Sequence, residues 1–160
     1  MPEGQGSATA AARMPPPHLR SYQRALPISL LRARESTIRK FRKHLDAHDM
    51  TLQQWRVIRA LADVPGLDSK TLSERCVILT PSLTRIFKAL TQRGQIRAIE
   101  VEDARRRCYE LTPDGQRFYD TVSVRSEEIY EEIEVAFGRK NMAELLRLLD
   151  LLRTTTDKLP

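Results

Sequence analysis

The sequence predicts a mainly α-helical protein with one small β-hairpin, and three observations lead to this expectation. Glycine accounts for only six of the 160 residues, which disfavours an all-β fold rich in tight turns. Hydrophobic residues make up 41% of the chain, enough for a core, and most of them recur at helical spacing. Between Ile96 and Leu111 the spacing changes, and two short runs of β-forming residues flank a charged tip.

Residues 1–25 are predicted to be a disordered tail. The first 18 of them hold four of the nine prolines and no large aliphatic side chain, so they lack the means to form a core. A Pro-rich segment that binds a partner is the alternative interpretation. The folded domain is expected to span residues 26–153.

Three helices are predicted before residue 77. The first begins near Pro27 and carries an apolar stripe that includes one cation: Leu31, Arg34, Ile38, Phe41 and Leu45. The second begins at Thr51, which forms a capping box with Gln54, and it ends before Pro65-Gly66. Asp68 then caps a short third helix that ends near residue 75.

The fourth helix is expected to have Thr80 as its cap and Pro81 in its first turn. Gly94 suits the position just after its end, where the backbone turns left-handed. The β-hairpin follows, and Thr112 caps a long fifth helix that runs to about residue 137. The predicted order is therefore a tail, four helices, a hairpin and two helices.

The third and fourth helices together fit a helix-turn-helix, a motif that lays its second helix in the major groove of DNA. The candidate DNA-binding residues of this helix are Thr80, Pro81, Ser82, Thr84, Arg85 and Lys88. Ser82, Thr84 and Arg85 lie near its first turn, where they can donate to bases, whereas Lys88 suits the phosphate backbone. Taken alone, this face fits an ordinary solvated surface equally well.

The positive charge of the chain is concentrated on this region. The net charge of the chain is +6. Residues 80–107 hold seven basic and three acidic residues, whereas residues 113–137 hold two basic and seven acidic residues. Arg105, Arg106 and Arg107 follow Asp103 at the hairpin tip. A segregated basic face attracts phosphates, and an arginine can enter a narrow minor groove. The hairpin therefore favours the DNA-binding interpretation.

The hairpin and its surroundings also carry recognisable motifs. Asp103-Ala-Arg105, five residues and Leu111-Thr112 resemble the D-x-R-x(5)-L-T wing signature of MarR-type winged-helix regulators, and Arg93-Gly94 fits the end of their recognition helix. Within that family, L-L-x-A-R-E at residues 30–35, Q-Q-W-R at 53–56 and I-L-x-P-S-L-T at 78–84 are similar to the homoprotocatechuate-degradation repressors.

This resemblance covers about residues 26–153 and implies a winged helix-turn-helix. The DNA-binding lobe would span about residues 51–112, and dimerisation helices about 26–48 and 113–153. The resemblance also implies a homodimeric repressor of an aromatic-acid catabolic operon, bound to a palindromic operator in double-stranded DNA and released by a phenolic carboxylate. It further implies that Arg105 enters the minor groove and that Asp103 orients it.

Arg34 is the cation within the apolar stripe of the first helix, where a charge needs a partner. That partner is either an acidic residue or helix end of the protein, or the carboxylate of an effector. Trp55 offers an aromatic wall unless it is ordinary core, and Arg56 or Ser29 offers further hydrogen bonds. The predicted effector site is therefore Ser29, Arg34, Trp55 and Arg56, in the family's pocket between the dimerisation helices and the DNA-binding lobe.

The last helix supports a dimer independently of the resemblance. Asn141 and Glu144 resemble a capping box at its start. Six leucines follow within eight residues, at positions 145, 146, 148, 149, 151 and 152. They cover more than one narrow stripe, so a second copy is expected to bury part of them. An intrachain helical pair is the alternative.

Other functions remain open at this stage. His44 and His48 are spaced as metal ligands on one helix face, with no third ligand beyond the neighbouring aspartates. Cys76 or Cys108 would suit a thiol sensor, and three arginines directly precede Cys108. A ligand-independent architectural DNA-binding protein is the third alternative.

Several classes are disfavoured. We find no Gly-rich phosphate loop, nucleophile elbow or paired carboxylates, so neither an enzyme nor a cofactor is expected. The chain has no run of 18 apolar residues, and its N-terminus lacks the apolar core of a secretory signal. Two cysteines are too few for a disulfide scaffold. We therefore expect a cytoplasmic protein.

Overall fold

The computed structural model describes residues 20–100 and 107–160. In chain order, these residues form a 3₁₀ helix (Tyr22–Arg24), α1 (Leu26–Asp46), α2 (Leu52–Asp63), β1 (Leu67–Asp68), α3 (Ser69–Cys76), α4 (Thr80–Gln92), β2 (Ile96–Ile99), β3 (Cys108–Leu111), α5 (Pro113–Phe137) and α6 (Arg139–Thr156). The prediction of a mainly helical fold with a small hairpin is confirmed. None of these helices is long and apolar enough to cross a membrane.

The chain divides into two compact units, residues 1–37 and residues 38–160, and the division falls within α1. The described part of the first unit is an exposed helical segment. Arg32 donates a hydrogen bond to Gln23, and the Thr37 hydroxyl donates to the Ala33 carbonyl at 3.1 Å. Leu31 is 50% exposed, so the apolar stripe predicted on the first helix is not buried at this end.

The second unit holds the hydrophobic core. Its largest fully buried side chains come from α1 to α5 and from β2: Leu45, Val57, Ile58, Leu61, Leu72, Leu83, Leu90, Ile96 and Val122. Phe41 and Leu45 are buried, so this half of the predicted α1 stripe does face the core. By contrast, α6 has no buried residue along its 18 positions.

Three predicted helix caps are confirmed. The Thr51 hydroxyl accepts from Gln54 N at 3.1 Å, and Gln54 Oε1 accepts from Thr51 N at 2.9 Å, which completes the capping box. Asp68 accepts from Thr71 N at 2.8 Å. Thr112 accepts from the backbone N–H of the third residue of α5 at 3.0 Å. Each cap satisfies a backbone donor that lacks an intrahelical partner.

Two predicted helix starts are wrong. The cap position of α4 falls on Leu79, which has no side-chain acceptor, and Thr80 is already helical. The last helix begins at Arg139, two residues before the predicted cap. Gly138, with φ +94°, allows the chain to leave α5 and enter α6 at once. The Asn141 side-chain amide therefore donates to the Phe137 carbonyl at 2.8 Å instead of capping.

The hairpin strands β2 and β3 pair antiparallel, with Ile96 opposite Leu111 and Ile99 opposite Cys108. The order in the sheet is β1-β3-β2, and the sequence analysis did not predict β1. Leu67 of this two-residue strand lies opposite Tyr109. The hairpin is confirmed in its described strands. Of the predicted tip, residues 102–107, only Arg107 lies among the described residues.

The start of α5 packs closely against the turn between α4 and β2. Thr112 N donates to the Gln95 carbonyl at 3.1 Å, and the Thr112 hydroxyl donates to the Gly94 carbonyl. A Cβ atom at Gly115 would lie 1.9 Å from the Gln95 carbonyl oxygen, so only glycine fits there. This junction sets the position of the hairpin relative to α5.

Candidate nucleic-acid interface and effector site

The polar face of α4 is the first candidate site. Leu83, Ile86, Phe87 and Leu90 face the core, so the opposite face points to solvent. The candidate DNA-binding residues on that face are Thr80, Pro81, Thr84, Arg85 and Lys88, all exposed, and Ser82, which is half-buried. Neither Arg85 nor Lys88 forms an ion pair within the described chain. Unpaired cations on a helix are available to phosphates.

The turn between α3 and α4 is held rigidly. Ile78 N donates to the Ser73 carbonyl at 3.0 Å, and the Ser73 hydroxyl donates to the Ile78 carbonyl at 2.6 Å. Val77 has left-handed backbone angles of φ 51° and ψ 55°. At the end of α3, Arg56 donates to the Cys76 carbonyl at 2.7 Å. These bonds fix the angle between the two helices.

The hairpin lies against α4. The rings of Phe87 and Tyr109 are stacked, with centroids 4.0 Å apart. On the outer face, Arg97 pairs with Glu110 at 2.6 Å across the two strands. Arg107 is exposed directly before β3. Of the four hairpin residues predicted to bind DNA, it is the only one among the described residues; Asp103, Arg105 and Arg106 lie outside them.

Arg93, at the C-terminal end of α4, holds that end to the turn between α1 and α2. Its guanidinium donates to the His48 carbonyl at 3.2 Å and to the Asp49 carbonyl at 2.5 Å. The Asp49 carboxylate lies 3.6 Å away. The fourth helix is therefore tied to this turn through backbone carbonyls.

The predicted effector residues fall in both units. Ser29 and Arg34 belong to the first unit, where the Ser29 hydroxyl donates to the Ala25 carbonyl at 3.2 Å. Arg34 is 53% exposed and pairs with Glu35 at 2.6 Å, so its charge has an acidic neighbour. Such an exposed pair contributes little stability and does not prevent a ligand from binding.

Trp55 and Arg56 belong to the second unit. Trp55 is 5% exposed and stacks on Tyr119 with centroids 5.8 Å apart, as expected for a core residue. Arg56 is engaged at the end of α3. A cavity of about 340 Å³ beside the α1–α2 turn is lined by Arg42, Asp46 and Met50, among others, and by none of the predicted effector residues.

Arg59 was not singled out from the sequence, although it lies one helical turn after Trp55. It is exposed, its guanidinium lies 5.4 Å from the centroid of the Tyr130 ring, and it donates to the Tyr130 hydroxyl at 2.6 Å. The centroid of the Phe41 ring lies 4.7 Å from that of the Tyr130 ring. The spacing of Trp55 and Arg59 on one helix face was the available signal.

Comparison with known proteins places the fold. The family model described as "MarR family" matches residues 48–107, from the α1–α2 turn to the end of the hairpin tip. The homoprotocatechuate degradative operon repressor of Escherichia coli is 37% identical over 127 residues, which cover 79% of this chain and 86% of the relative.

The chain belongs to the MarR family. A second relative, the HTH-type transcriptional regulator FarR of Neisseria gonorrhoeae, is 36% identical over 87% of this chain and 96% of its own. The crystal structure of NadR in complex with 4-hydroxyphenylacetate superposes with a TM-score of 0.77 and 34% identity, covering 85% of this chain and all of that one. In this MarR-family winged helix, α3 and α4 form the helix-turn-helix and β2 and β3 the wing.

Two groups in this MarR-family chain were candidates for other sensing chemistry. His44 Nε2 lies 3.0 Å from the Val122 carbonyl, and its ring meets that of His48 edge-on. Among the described residues, no group of three histidine, cysteine or acidic side chains could hold a metal ion.

Both cysteines are free and buried. Burial raises the pKa of the Cys76 thiol, although Arg56 and Arg75 nearby act in the opposite direction. At neutral pH the reactive thiolate is therefore scarcer at Cys76 than at an exposed cysteine. The geometry therefore favours neither the His44–His48 pair as a metal sensor nor Cys76 as a thiol sensor.

Proposed function

We propose that this MarR-family chain is a homodimeric repressor that acts in the cytoplasm on an aromatic-acid catabolic operon. A phenolic carboxylate releases it from a palindromic operator. The observation that carries the DNA-binding part is the exposed face of α4, where Arg85 and Lys88 have no ion-pair partner among the described residues. The similarity to a relative named as an operon repressor supports the direction of regulation.

On DNA, α4 lies in the major groove. Ser82, Thr84 and Arg85 contact bases, Lys88 contacts phosphate, and Thr80 and Pro81 set the entry of the helix. The wing reaches the adjacent minor groove with Arg105, which Asp103 orients, while Arg106 and Arg107 add phosphate contacts.

The exposed leucines of α6 support a dimer. Leu145, Leu146, Leu148, Leu149 and Leu151 are 37–59% exposed, which is unusual for a helix so rich in leucine. Burying a leucine side chain fully contributes roughly 1.5–3 kcal/mol, so covering the partly exposed set against a second copy favours association. Two-fold symmetry then presents two α4 helices to half-sites about 34 Å apart.

The effector is a phenolic carboxylate. One relative is named for homoprotocatechuate degradation, and a similar protein was crystallised with 4-hydroxyphenylacetate. Arg34 and Arg59 are the two arginines suited to bind its carboxylate. To bind the carboxylate, Arg34 would have to give up only its exposed ion pair with Glu35. Arg59 contacts the half-buried Tyr130, whose ring would contact that of the acid, and Trp55 lies one helical turn before Arg59.

A thermal-shift measurement tests the effector directly. Ligand at about 100 times its Kd stabilises the folded state by about 2.7 kcal/mol, which raises Tm by about 5–11 °C for a protein of this size. We expect this shift with 4-hydroxyphenylacetate or homoprotocatechuate, and none with 2-(4-hydroxyphenyl)ethanol, which lacks the carboxylate. The same acid should release the protein from DNA selected in vitro from a random pool. An acid that neither raises Tm nor releases DNA contradicts the effector proposal.

Two variants separate the candidate carboxylate partners. Loss of the shift in Arg34→Ala alone assigns the carboxylate to Arg34, and loss in Arg59→Ala alone assigns it to Arg59. Both variants should still bind the selected DNA, because neither residue lies in α4 or in the wing. An unchanged shift in both variants contradicts either assignment.

A further inference from the structure

Two apolar side chains project into solvent at the turn of the helix-turn-helix. Val77 is 82% exposed and Leu79 is 79% exposed, the highest values among the exposed large hydrophobic residues of the described chain. Ile78, between them, is only 3% exposed and packs in the core. The exposure therefore alternates through the turn, with Val77 and Leu79 facing solvent and Ile78 facing the core.

The turn holds these side chains outward at a cost. Val77 adopts φ 51°, a left-handed conformation that is a genuine outlier for a β-branched residue. Glycine or asparagine would adopt it more easily. The two hydrogen bonds between Ser73 and Ile78 keep the turn in this shape. A strained and rigid display of an apolar side chain indicates a contact outside the chain.

The surroundings of the pair indicate which partner makes that contact. Leu79 is the cap residue of α4, so it lies at the end of the helix that enters the major groove. From Cys76 to Arg93 the sequence has no acidic residue, and it has three basic ones. The patch is therefore continuous with the DNA-binding face and electrostatically suited to a polyanion. The leucine surface of α6, in contrast, suits a second copy.

We infer that Val77 and Leu79 contact the 5-methyl groups of thymines in the major groove. The thymine methyl is the apolar group that a base pair presents there. These contacts would select thymine at positions beside those read by Ser82, Thr84 and Arg85. The inference rests on the proposed DNA-binding function and adds a specificity element formed by the turn.

The test uses the full chain and DNA selected from a random duplex pool. In the selected duplex, each thymine is replaced singly by deoxyuridine, which removes only the methyl group. For wild type we expect at least one thymine per half-site whose replacement weakens binding about 4-fold, the factor equivalent to about 0.8 kcal/mol for one buried methyl-sized group. Leu79→Ala and Val77→Gly should bind the thymine and deoxyuridine duplexes equally at the positions concerned.

Two controls keep the result interpretable. Val77→Gly suits the left-handed backbone, so its Tm should be no lower than that of wild type and loss of discrimination cannot come from a collapsed turn. Val124→Ala removes a valine that is 62% exposed on α5, and it should discriminate like wild type. Equal deoxyuridine effects in wild type and both turn variants overturn the inference while leaving DNA binding intact. If no duplex is enriched from the random pool, both the DNA-binding proposal and this inference fail.

Discussion

Gly115→Ala tests the junction that holds the wing against α5. Helix propensity alone predicts that alanine stabilises this position by up to about 1 kcal/mol. The structure predicts the opposite, because the added Cβ would lie 1.9 Å from the Gln95 carbonyl oxygen and 2.8 Å from its carbon. Both atoms belong to the backbone, so the junction must open by about 1.5 Å before the Cβ atom reaches ordinary van der Waals contact, which begins at 3.4 Å.

Opening the junction affects three hydrogen bonds of Thr112. It donates to the carbonyls of Gln95 and Gly94, and its hydroxyl accepts from the backbone N–H of Gly115. At about 1 kcal/mol each, their loss outweighs the gain in propensity by about 2 kcal/mol. For a chain of this size the expected decrease in Tm is about 4–8 °C. The DNA-binding affinity should also fall, because Gln95 links α4 to the wing.

Thermal unfolding followed by circular dichroism measures the change. Protein concentrations must be matched, because the Tm of a dimer depends on concentration. Gln116→Ala, an exposed substitution at the next position, should leave Tm within 1–2 °C of wild type as a surface change does. A Tm for Gly115→Ala equal to or above that of wild type would refute the steric argument.

Four further predictions concern the proposed dimer, the wing, the effector site and Cys76. Leu146→Glu, on the exposed face of α6, should convert the proposed dimer to a folded monomer in sedimentation velocity, and a persistent dimer excludes this face as the interface. Arg105→Ala should weaken binding to the selected DNA and reduce the salt slope by about 1, and an unchanged slope removes Arg105 from the interface. Arg34→Ala should retain DNA binding and lose the response to the phenolic acid, and a retained response contradicts the assignment of the carboxylate to Arg34. Because burial raises the pKa of Cys76, the folded chain retains this proton when the unfolded chain has lost it, so the free energy of unfolding should fall as pH rises above about 8.5. Cys76→Ala should lessen that fall, and an equal fall in both proteins contradicts the assignment.

Local signals predicted most of the helices. Thr51, Asp68 and Thr112 have side chains that can accept from backbone N–H groups, so the start of each helix was readable from a few residues. The same reasoning failed at α6, because Gly138 reverses the chain without any side-chain cap. The strand β1 has two residues, too few for a period of two to be visible.

The candidate sites were predictable to different degrees. The polar face of α4 follows from the periodicity of that helix alone. The aromatic environment of Arg59 depends on Tyr130, 71 residues away in sequence, so only the fold brings the two together. Val77 and Leu79 resemble core residues in the sequence, because valine and leucine are usually buried. Their exposure depends on a left-handed backbone that no sequence pattern reveals at a valine.

Arg93 attaches the C-terminal end of α4 to the α1–α2 turn, so a rotation about this attachment moves the N-terminal end of the helix most. With 13 residues, the helix is about 20 Å long, and the residues proposed to bind DNA begin at the end farther from Arg93. A rotation of about 5° about the Arg93 attachment moves that end by nearly 2 Å, which is enough to break hydrogen bonds that tolerate only a few tenths of an ångström. Because hydrogen bonds between Ser73 and Ile78 hold α3 to that end, α3 and α4 would move together, and a displacement of the α1–α2 turn would be amplified into loss of the proposed base contacts. In the proposed repressor, the stiffness of this attachment, rather than flexibility of the helix, would therefore determine how strongly DNA binding responds to an effector.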